Sequence, residues 1–376
     1  MSNRIRVGVL CGGRSAEHEV SILSARNVAR SLDREKFEVF LVGIDRAGRW
    51  RLEPDSNVGA NAAEVALVGS GPELILEPRP TGAELKVVSN DPTQPSSTLT
   101  LDVIFPVLHG PFGEDGTLQG LLELADIAYV GAGVLGSAIG MDKDVQKRLL
   151  QQAHVPVAEY VCLRKASFLS DPEAVLASAA AIGLPVFVKP ANLGSSVGVT
   201  RVSNHEALAN AIAHAFDYDL KVLVEREIVG RELECSVMGN DEPVASVPGE
   251  IELHHADGFY SYEAKYLDDD GVGLCIPARL TADQTRAVRE LAVRTFQTLE
   301  CRGLARVDLF LGQDGSLVVN EINTMPGFTA ISMFSKLWEA TGLAASRLVE
   351  QIVQLALDHR DSVRTLSTKH VRHSSG

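Results

Sequence analysis

The chain has 376 residues, 45% hydrophobic and 22% charged, with a formal net charge of −14. That length suggests two or three domains, and the composition excludes disordered, collagenous and coiled-coil chains. The acidity, with only 5% aromatic residues, argues against nucleic acid as a partner, since neither phosphates nor bases would be held. An anionic small substrate would need a local cluster of Lys, Arg and backbone N–H groups. Cys11, Cys162, Cys235, Cys275 and Cys301 form no C-x-x-C pair. Neither a disulfide framework nor a zinc site is expected, and a reducing cytoplasm fits. No apolar run approaches the roughly 18 residues of a membrane span, and the first one, from Val7 to Leu10, is too short for a secretion signal.

In chain order, residues 6–10 read as a strand, Gly12-Gly13 as a turn, and Ser15 as the cap of a helix reaching about Leu32. Val20, Leu23, Ala25 and Val28 roughly follow helical spacing on it. Residues 37–44 and 101–108 are further strands, and 118–124 a helix. This alternation predicts an open parallel α/β sheet over residues 1–140. Residues 53–100, rich in Gly, Pro, Ser and Asn, read as an insertion with short elements of its own. A second unit, 141–228, opens with a helix over 141–153. It continues with a strand at 184–190, a Gly/Ser-rich turn at 191–198 and a return strand at 199–202. That is a hairpin, and the chain has no Gly-Lys dipeptide, so a Walker loop is excluded; Gly12-Gly13 does not extend to G-x-G-x-x-G either. The third unit, 229–361, holds a helix over 282–300, with Thr281 and Gln284 forming a capping box. Residues 362–376 lack apolar periodicity and read as a disordered tail.

Residues 303–311 alternate as a strand, Asp314-Gly315 signals a two-residue turn, and 317–323 return. With that loop, Asp308 faces Glu321 and Arg306 faces Asn323, and all four side chains share one face. Directly opposed carboxylates repel, so the face calls for a cation. Asp, Glu and Asn are oxygen ligands, which suits Mg²⁺ or Mn²⁺ beside substrate phosphates. A solvated strand face with an Arg ion pair is the competing reading, and the Gly/Ser hairpin upstream weighs against it. Lys143, Lys189 and Lys265 are candidate phosphate partners. Lys189 immediately precedes a loop of small residues able to fold over phosphates. Glu225 ends an apolar strand, where it could accept from a ribose hydroxyl or an adenine amino group. Ser195-Ser196 lies in no G-x-S-x-G elbow, which speaks against covalent catalysis.

Together, Lys189-Pro190, the loop from Gly194 to Gly198, Glu225 and the Arg306-x-Asp308…Glu321-x-Asn323 hairpin resemble the ATP-grasp superfamily. More narrowly, the chain resembles the D-alanine–D-alanine ligases from about residue 5 to 358. The segments that carry this are GGRSAEHEVS at 12–21, HGPFGEDG at 109–116, Met141-Asp142-Lys143, EAKY at 263–266 and EINTMPGFT at 321–329.

The resemblance implies an α/β protein with the ATP-grasp fold, its N-terminal domain an open parallel sheet. It implies ATP-dependent joining of two D-alanines through an acylphosphate, for peptidoglycan synthesis. Lys143, Lys189 and Glu225 would hold ATP beneath Ser195 and Ser196, with Glu232 on the ribose. Asp308, Glu321 and Asn323 would hold two Mg²⁺ or Mn²⁺ ions. Glu19 would bind the first D-alanine's ammonium, hydrogen-bonded with Ser195 and Tyr266, and His109 would lie near that substrate. Arg306 and the Gly327 N–H would form the oxyanion hole. Ser332 would serve the second D-alanine's carboxylate and Lys265 the γ-phosphate. Residues 257–273 would form a lid, and a homodimer is expected. The rivals are a ligase with another acceptor and a non-catalytic ATP sensor, for which an oxyanion arginine would have no use.

Overall fold

The computed structural model describes residues 4–54, 71–80, 84–88, 95–253 and 272–367. Three sheets carry the architecture. The first contains β1 (Ile5–Gly12), β2 (Phe37–Ile44), β3 (Trp50–Leu52), β4 (Glu73–Leu76), β5 (Glu84–Val88), β6 (Ser97–Thr100), β7 (Val103–Pro106) and β8 (Ala128–Tyr129), in the order β6-β5-β4-β3-β2-β1-β7-β8. Only β2, β1, β7 and β8 are parallel; β2 to β6 pair antiparallel. The expected parallel sheet is therefore half of a mixed one, and the segment read as an insertion supplies its antiparallel edge. The reversal after β2 is cheap. It needs no crossover helix, only a turn in which Gly48, at φ +85°, donates its N–H to the Asp45 carbonyl at 2.9 Å.

The helix His18–Ser31 follows β1. Ser15 does not cap it: its Oγ accepts from the Glu17 N–H at 3.1 Å, and Glu17 takes the cap position. The chain leaves β1 toward β2 on one side and β7 on the other. Their carboxyl ends, followed by Gly12-Gly13 and His109-Gly110, therefore border a crevice of the kind that binds ligands in open α/β sheets.

The second sheet contains β9 (Tyr160–Arg164), β10 (Val186–Pro190), β11 (Thr200–Val202) and β12 (Lys221–Arg226), all antiparallel in the order β11-β10-β12-β9. Val186, Val188 and Val224 pack on the helices Pro172–Ala180 and His205–Ala215. By alternation Phe187, Lys189 and Glu225 occupy the other face.

The third contains β13 (Gly230–Gly239), β14 (Val244–Ala245), β15 (Gly249–Leu253), β16 (Val272–Cys275), β17 (Gly303–Gly312) and β18 (Leu317–Asn323). Helix Ala282–Thr298 has the expected capping box and buries Val288, Ala292 and Phe296 against Val307, Leu309 and Val319. Leu150, on helix Lys143–Gln152, joins the same core. The helices Lys165–Ser170 and Val134–Met141 bracket the second unit's start.

The final helices, Met333–Ala340 and Ala345–Arg364, return to the first sheet. Trp338, Ile352 and Val353 share a core with Val7 and Phe105. The last helix enters the segment read as a disordered tail, because its buried stripe from Leu348 to Leu357 anchors it and Arg364 pairs with Asp126 at 2.6 Å. Phe328 bridges Phe105 and Phe334, with ring centroids 5.4 and 5.3 Å away. Phe334 is fully buried, so Phe334→Ala should destabilise the protein by about 3–5 kcal/mol, read as a lower urea midpoint.

Candidate active site

The β17–β18 hairpin puts Arg306 opposite Asn323 and Asp308 opposite Glu321, as expected, but by a different route. Its loop has three residues, not two. Gly312 N–H donates to Ser316 O at 2.8 Å, while Gly315, at φ +82°, donates to Gly312 O at 3.0 Å. This turn shifts the register, so that Leu309 pairs with Val319. Asn320 is then the extra residue of a β-bulge, which restores the opposition of Asp308 and Glu321. The burial pattern agrees: Val319 and Ile322, three apart, both enter the core, leaving Asn320 and Glu321 on the site face.

The two carboxylates are balanced by cations. Arg306 donates to Asp308 through Nε and Nη2 at 2.7 and 2.8 Å, and lies 3.0 Å from Glu234. Asn323 Nδ2 donates to Asp308 at 2.9 Å, and Lys143 Nζ lies 3.1 Å from Glu321.

Behind them is a buried network. Lys189 donates to Glu225 at 3.0 Å and to Asn320 Oδ1 at 3.3 Å. Lys147 lies 3.0 Å from the other Glu225 oxygen and donates to Asn320 O at 3.2 Å. Burial alone would raise the Glu225 carboxyl, but the charges of Lys147 and Lys189 outweigh it and hold it below its ordinary value. Burial lowers the Lys147 ammonium. Lys147 was missed from sequence, yet it lies one helical turn beyond Lys143, a spacing that puts both on one face.

Two cavities meet here. One, of about 340 Å³, is lined by Lys143, Lys189, Ser196, Glu225, Glu232 and Phe310. The other, of about 530 Å³, is lined by Glu17, His109, Ser195, Arg306, Gly327 and Ser332. Gly194, Ile251 and Glu321 belong to both walls. Ser195 and Ser196 have left-handed backbones, φ +51° and +58°, which fold the loop across this junction. Lys265, Tyr266 and most of the expected lid at 257–273 lie outside the described residues.

Glu19 does not hold the expected position. It points to solvent and pairs with Arg46 at 2.7 Å. The Ser195 hydroxyl donates instead to Glu17, which lines the larger cavity. The reason is helix phase: Glu17 precedes the first turn at the carboxyl end of β1, whereas Glu19 is already on the outer face. Ser332 Oγ accepts from Thr329 N–H at 3.0 Å, closing the turn that follows Gly327.

His109 is buried, which pushes its pKa down despite the nearby Glu17 carboxylate. As a neutral ring its Nδ1–H donates to Met325 O at 3.1 Å, so it also fixes the 325–328 loop. Glu114, another residue missed from sequence, accepts from Gly110 N–H at 2.6 Å and Met325 N–H at 3.2 Å. Burial in the cavity wall, and then Glu17, push its carboxyl up to about 8.

Two family models, described as D-ala D-ala ligase N-terminus and D-ala D-ala ligase C-terminus, match residues 6–132 and 149–354. The D-alanine–D-alanine ligase A of Bradyrhizobium diazoefficiens is 50% identical, over 96% of this chain and 97% of that protein. That of Chromobacterium violaceum is 48% identical, over 94% and 96%. Among solved structures, the D-alanine–D-alanine ligase of Coxiella burnetii superposes with a TM-score of 0.83 at 35% identity, covering 96% of each chain. A D-Ala:D-Ser ligase of Enterococcus faecalis gives 0.81 at 33%, covering 94% of this chain and all of that one. Two β-rich units that close lysines and carboxylates around a cleft, beside an α/β unit, make this an ATP-grasp protein. Within that class, the chain belongs to the D-alanine–D-alanine ligase family.

Glu17→Gln should lower ligase turnover at least ~10-fold, whereas Glu19→Gln, which loses only an exposed ion pair, should stay within about two-fold; steady-state phosphate release measures both. Glu114 binds its proton more tightly in the folded than in the unfolded chain. Its contribution is thus complete below its ordinary value of 4.5 and is lost as pH rises through about 8. In urea titrations at successive pH values, Glu114→Gln should lose less stability than the parent across that window.

Proposed function

We propose that the protein joins two D-alanines at the expense of ATP, releasing ADP and phosphate, and so feeds peptidoglycan synthesis. The observation that carries this is the shared wall of the two cavities. Glu321 borders a lysine-lined space of nucleotide character and a second space lined by Glu17 and Arg306. A carboxylate in one can therefore meet a γ-phosphate from the other.

Lys143 and Lys189 bind the phosphates, Ser196 covers them, and Glu232 takes the ribose. Glu17 holds the first D-alanine's ammonium. That substrate's carboxylate attacks the γ-phosphorus, forming a new C–O–P link as the bond to ADP breaks. The second D-alanine's amine then attacks the acylphosphate carbonyl. Arg306 and the Gly327 N–H stabilise the oxygen's charge, Ser332 holds the acceptor's carboxylate, phosphate leaves, and the amine gives up a proton. The chain contributes positioning and charge stabilisation, with no covalent nucleophile. Closure over the site keeps water from the acylphosphate.

Asp308, Glu321 and Asn323 fit a pair of divalent ions, Mg²⁺ or Mn²⁺. The donors are all oxygens, and Asn323 gives its Nδ2 to Asp308, leaving the carboxamide oxygen for a ligand. Such ions, when bound, neutralise charge on the phosphates. All five cysteines are free thiols, which supports a cytoplasmic setting. Exposed Leu124, Val134 and Leu135, on contacting helices, support a homodimer.

ATP-dependent phosphate release with D-alanine, with L-alanine as control and D-serine offered as alternative acceptor, tests this reading. D-alanine should stimulate release and D-alanyl-D-alanine should accumulate; ATP hydrolysis indifferent to D-alanine would refute it. Asp308→Asn or Glu321→Gln should cut turnover at least ~100-fold with the thermal midpoint little changed.

A further inference from the structure

Lys221 opens β12 with only 6% of its side chain exposed, and it lines neither of the two cavities. Its ammonium contacts Asp142 and lies 3.3 Å from Asp144. Both carboxylates belong to the start of helix Lys143–Gln152. Asp142 caps it, Oδ1 accepting from Asp144 N–H at 3.1 Å and Val145 N–H at 3.0 Å. Asp144, largely buried, also lies 3.3 Å from Arg148 and accepts from the Tyr160 hydroxyl at 3.4 Å.

The main chain closes the same frame. Ala191 N–H donates to Lys221 O, and Lys143 N–H donates to Ala191 O, both at 3.0 Å. Asp219 accepts from Asn192 N–H and Nδ2 at 2.8 and 2.9 Å, and from Lys221 N–H at 3.1 Å. Lys143, so placed, sends its ammonium to Leu193 O at 2.7 Å and to Glu321. Three parts whose relative placement defines the smaller cavity converge on Lys221. They are the helix carrying Lys143 and Lys147, the start of the Gly/Ser loop, and the strand carrying Glu225.

We infer that Lys221 is a positioning residue for the nucleotide: by neutralising Asp142 and Asp144 it fixes the helix start and the loop base from which Lys143 reaches into the cleft. This rests on the ATP-dependent reading above. Without the ammonium, two carboxylates stand close together in a poorly hydrated place, and breaking a buried pair from one side is costly. The direct relief is movement of the helix start toward water, which carries Lys143 away from Glu321 and the loop. Glu17, His109 and Ser332 hang on other elements, and of them only Glu17 meets the moving loop, through the Ser195 hydroxyl. The loss therefore falls chiefly on ATP.

The test uses the full chain with Lys221→Met, Lys221→Arg, Asp144→Asn and the double variant Lys221→Met/Asp144→Asn, following phosphate release and thermal unfolding. Lys221→Met should raise the KM for ATP about 10-fold or more, with kcat and the KM for D-alanine each within about three-fold. Lys221→Arg, which keeps the charge, should stay near the parent. In the Lys221→Met background, Asp144→Asn should recover much of the lost ATP affinity, because it removes one stranded charge; alone it should raise the ATP KM about three-fold. Equal rises in both KM values, strictly additive variants, or an arginine as damaging as methionine would overturn the inference. Should Lys221→Met fail to fold, Asp144→Asn alone decides, and an unchanged ATP KM there overturns it. A parent protein that does not couple ATP cleavage to D-alanine would overturn the ligase reading instead.

Discussion

Two carboxylates in register on neighbouring strands are the constraint around which the site is built. Asp308 and Glu321 cannot stand opposed without positive charge between or beside them. The structure supplies it from two directions, Arg306 on the same strand and Lys143 from the second unit, and the neutral amide of Asn323 adds a hydrogen bond. Each partner ties another part of the molecule to the hairpin. Lys143 brings its helix and the Gly/Ser loop, Arg306 brings Glu234 on β13, and Asn320 receives Lys189 and Lys147. The cleft is electrostatically assembled on an apolar base, with Val307, Leu309, Val319 and Ile322 facing the core on the opposite side of the same two strands.

Much of this was legible in the sequence, because local rules dominate there. Strand alternation put Arg306, Asp308, Glu321 and Asn323 on one face, the capping box set the start of helix Ala282–Thr298, and small residues marked the loop at 191–198. The hairpin register is instructive, since a turn misread by one residue and a bulge with no sequence signature offset one another. Other features were hidden for physical reasons. Glu17 and Glu19 differ by two positions in a charged segment, and only the point where the helix begins decides which meets the cavity. The antiparallel edge β3 to β6 was obscured by short strands in a Gly- and Pro-rich segment, where pairing with a neighbour outweighs propensity. Glu114 owes its raised pKa first to burial in a cavity wall and then to Glu17, far along the chain, neither of which has a local signature.

The first sheet contributes most to the site through its ends. The crevice beyond β1 and β7 holds Glu17 and His109, and the histidine's bond to Met325 O reaches the loop that follows β18. Asn27 Nδ2, on the first helix, donates to Phe328 O at 2.7 Å in the same loop. Glu17, His109 and the loop carrying Gly327 are thus held together by polar links between units that also share the Phe105–Phe328–Phe334 core. The larger cavity is lined by elements from both ends of the chain, so its shape depends on the docking of the terminal helices as much as on the hairpin.

The bulge at Asn320 has a consequence for where the hairpin tolerates a change in length. It separates the Glu321 and Asn323 end of β18 from the end that meets the turn, so the two halves of the strand keep different registers with β17. Insertions or deletions around Gln313 to Gly315 are taken up at the exposed tip and leave the ligand face untouched. Removal of the single residue Asn320 would restore plain alternation after Val319, keeping Glu321 and Asn323 opposite Asp308 and Arg306 but deleting the carboxamide that accepts from Lys189. The tip and the site face are thus insulated from each other in length, and what holds Asn320 in the strand is its own side chain, which meets Lys189 at 3.3 Å.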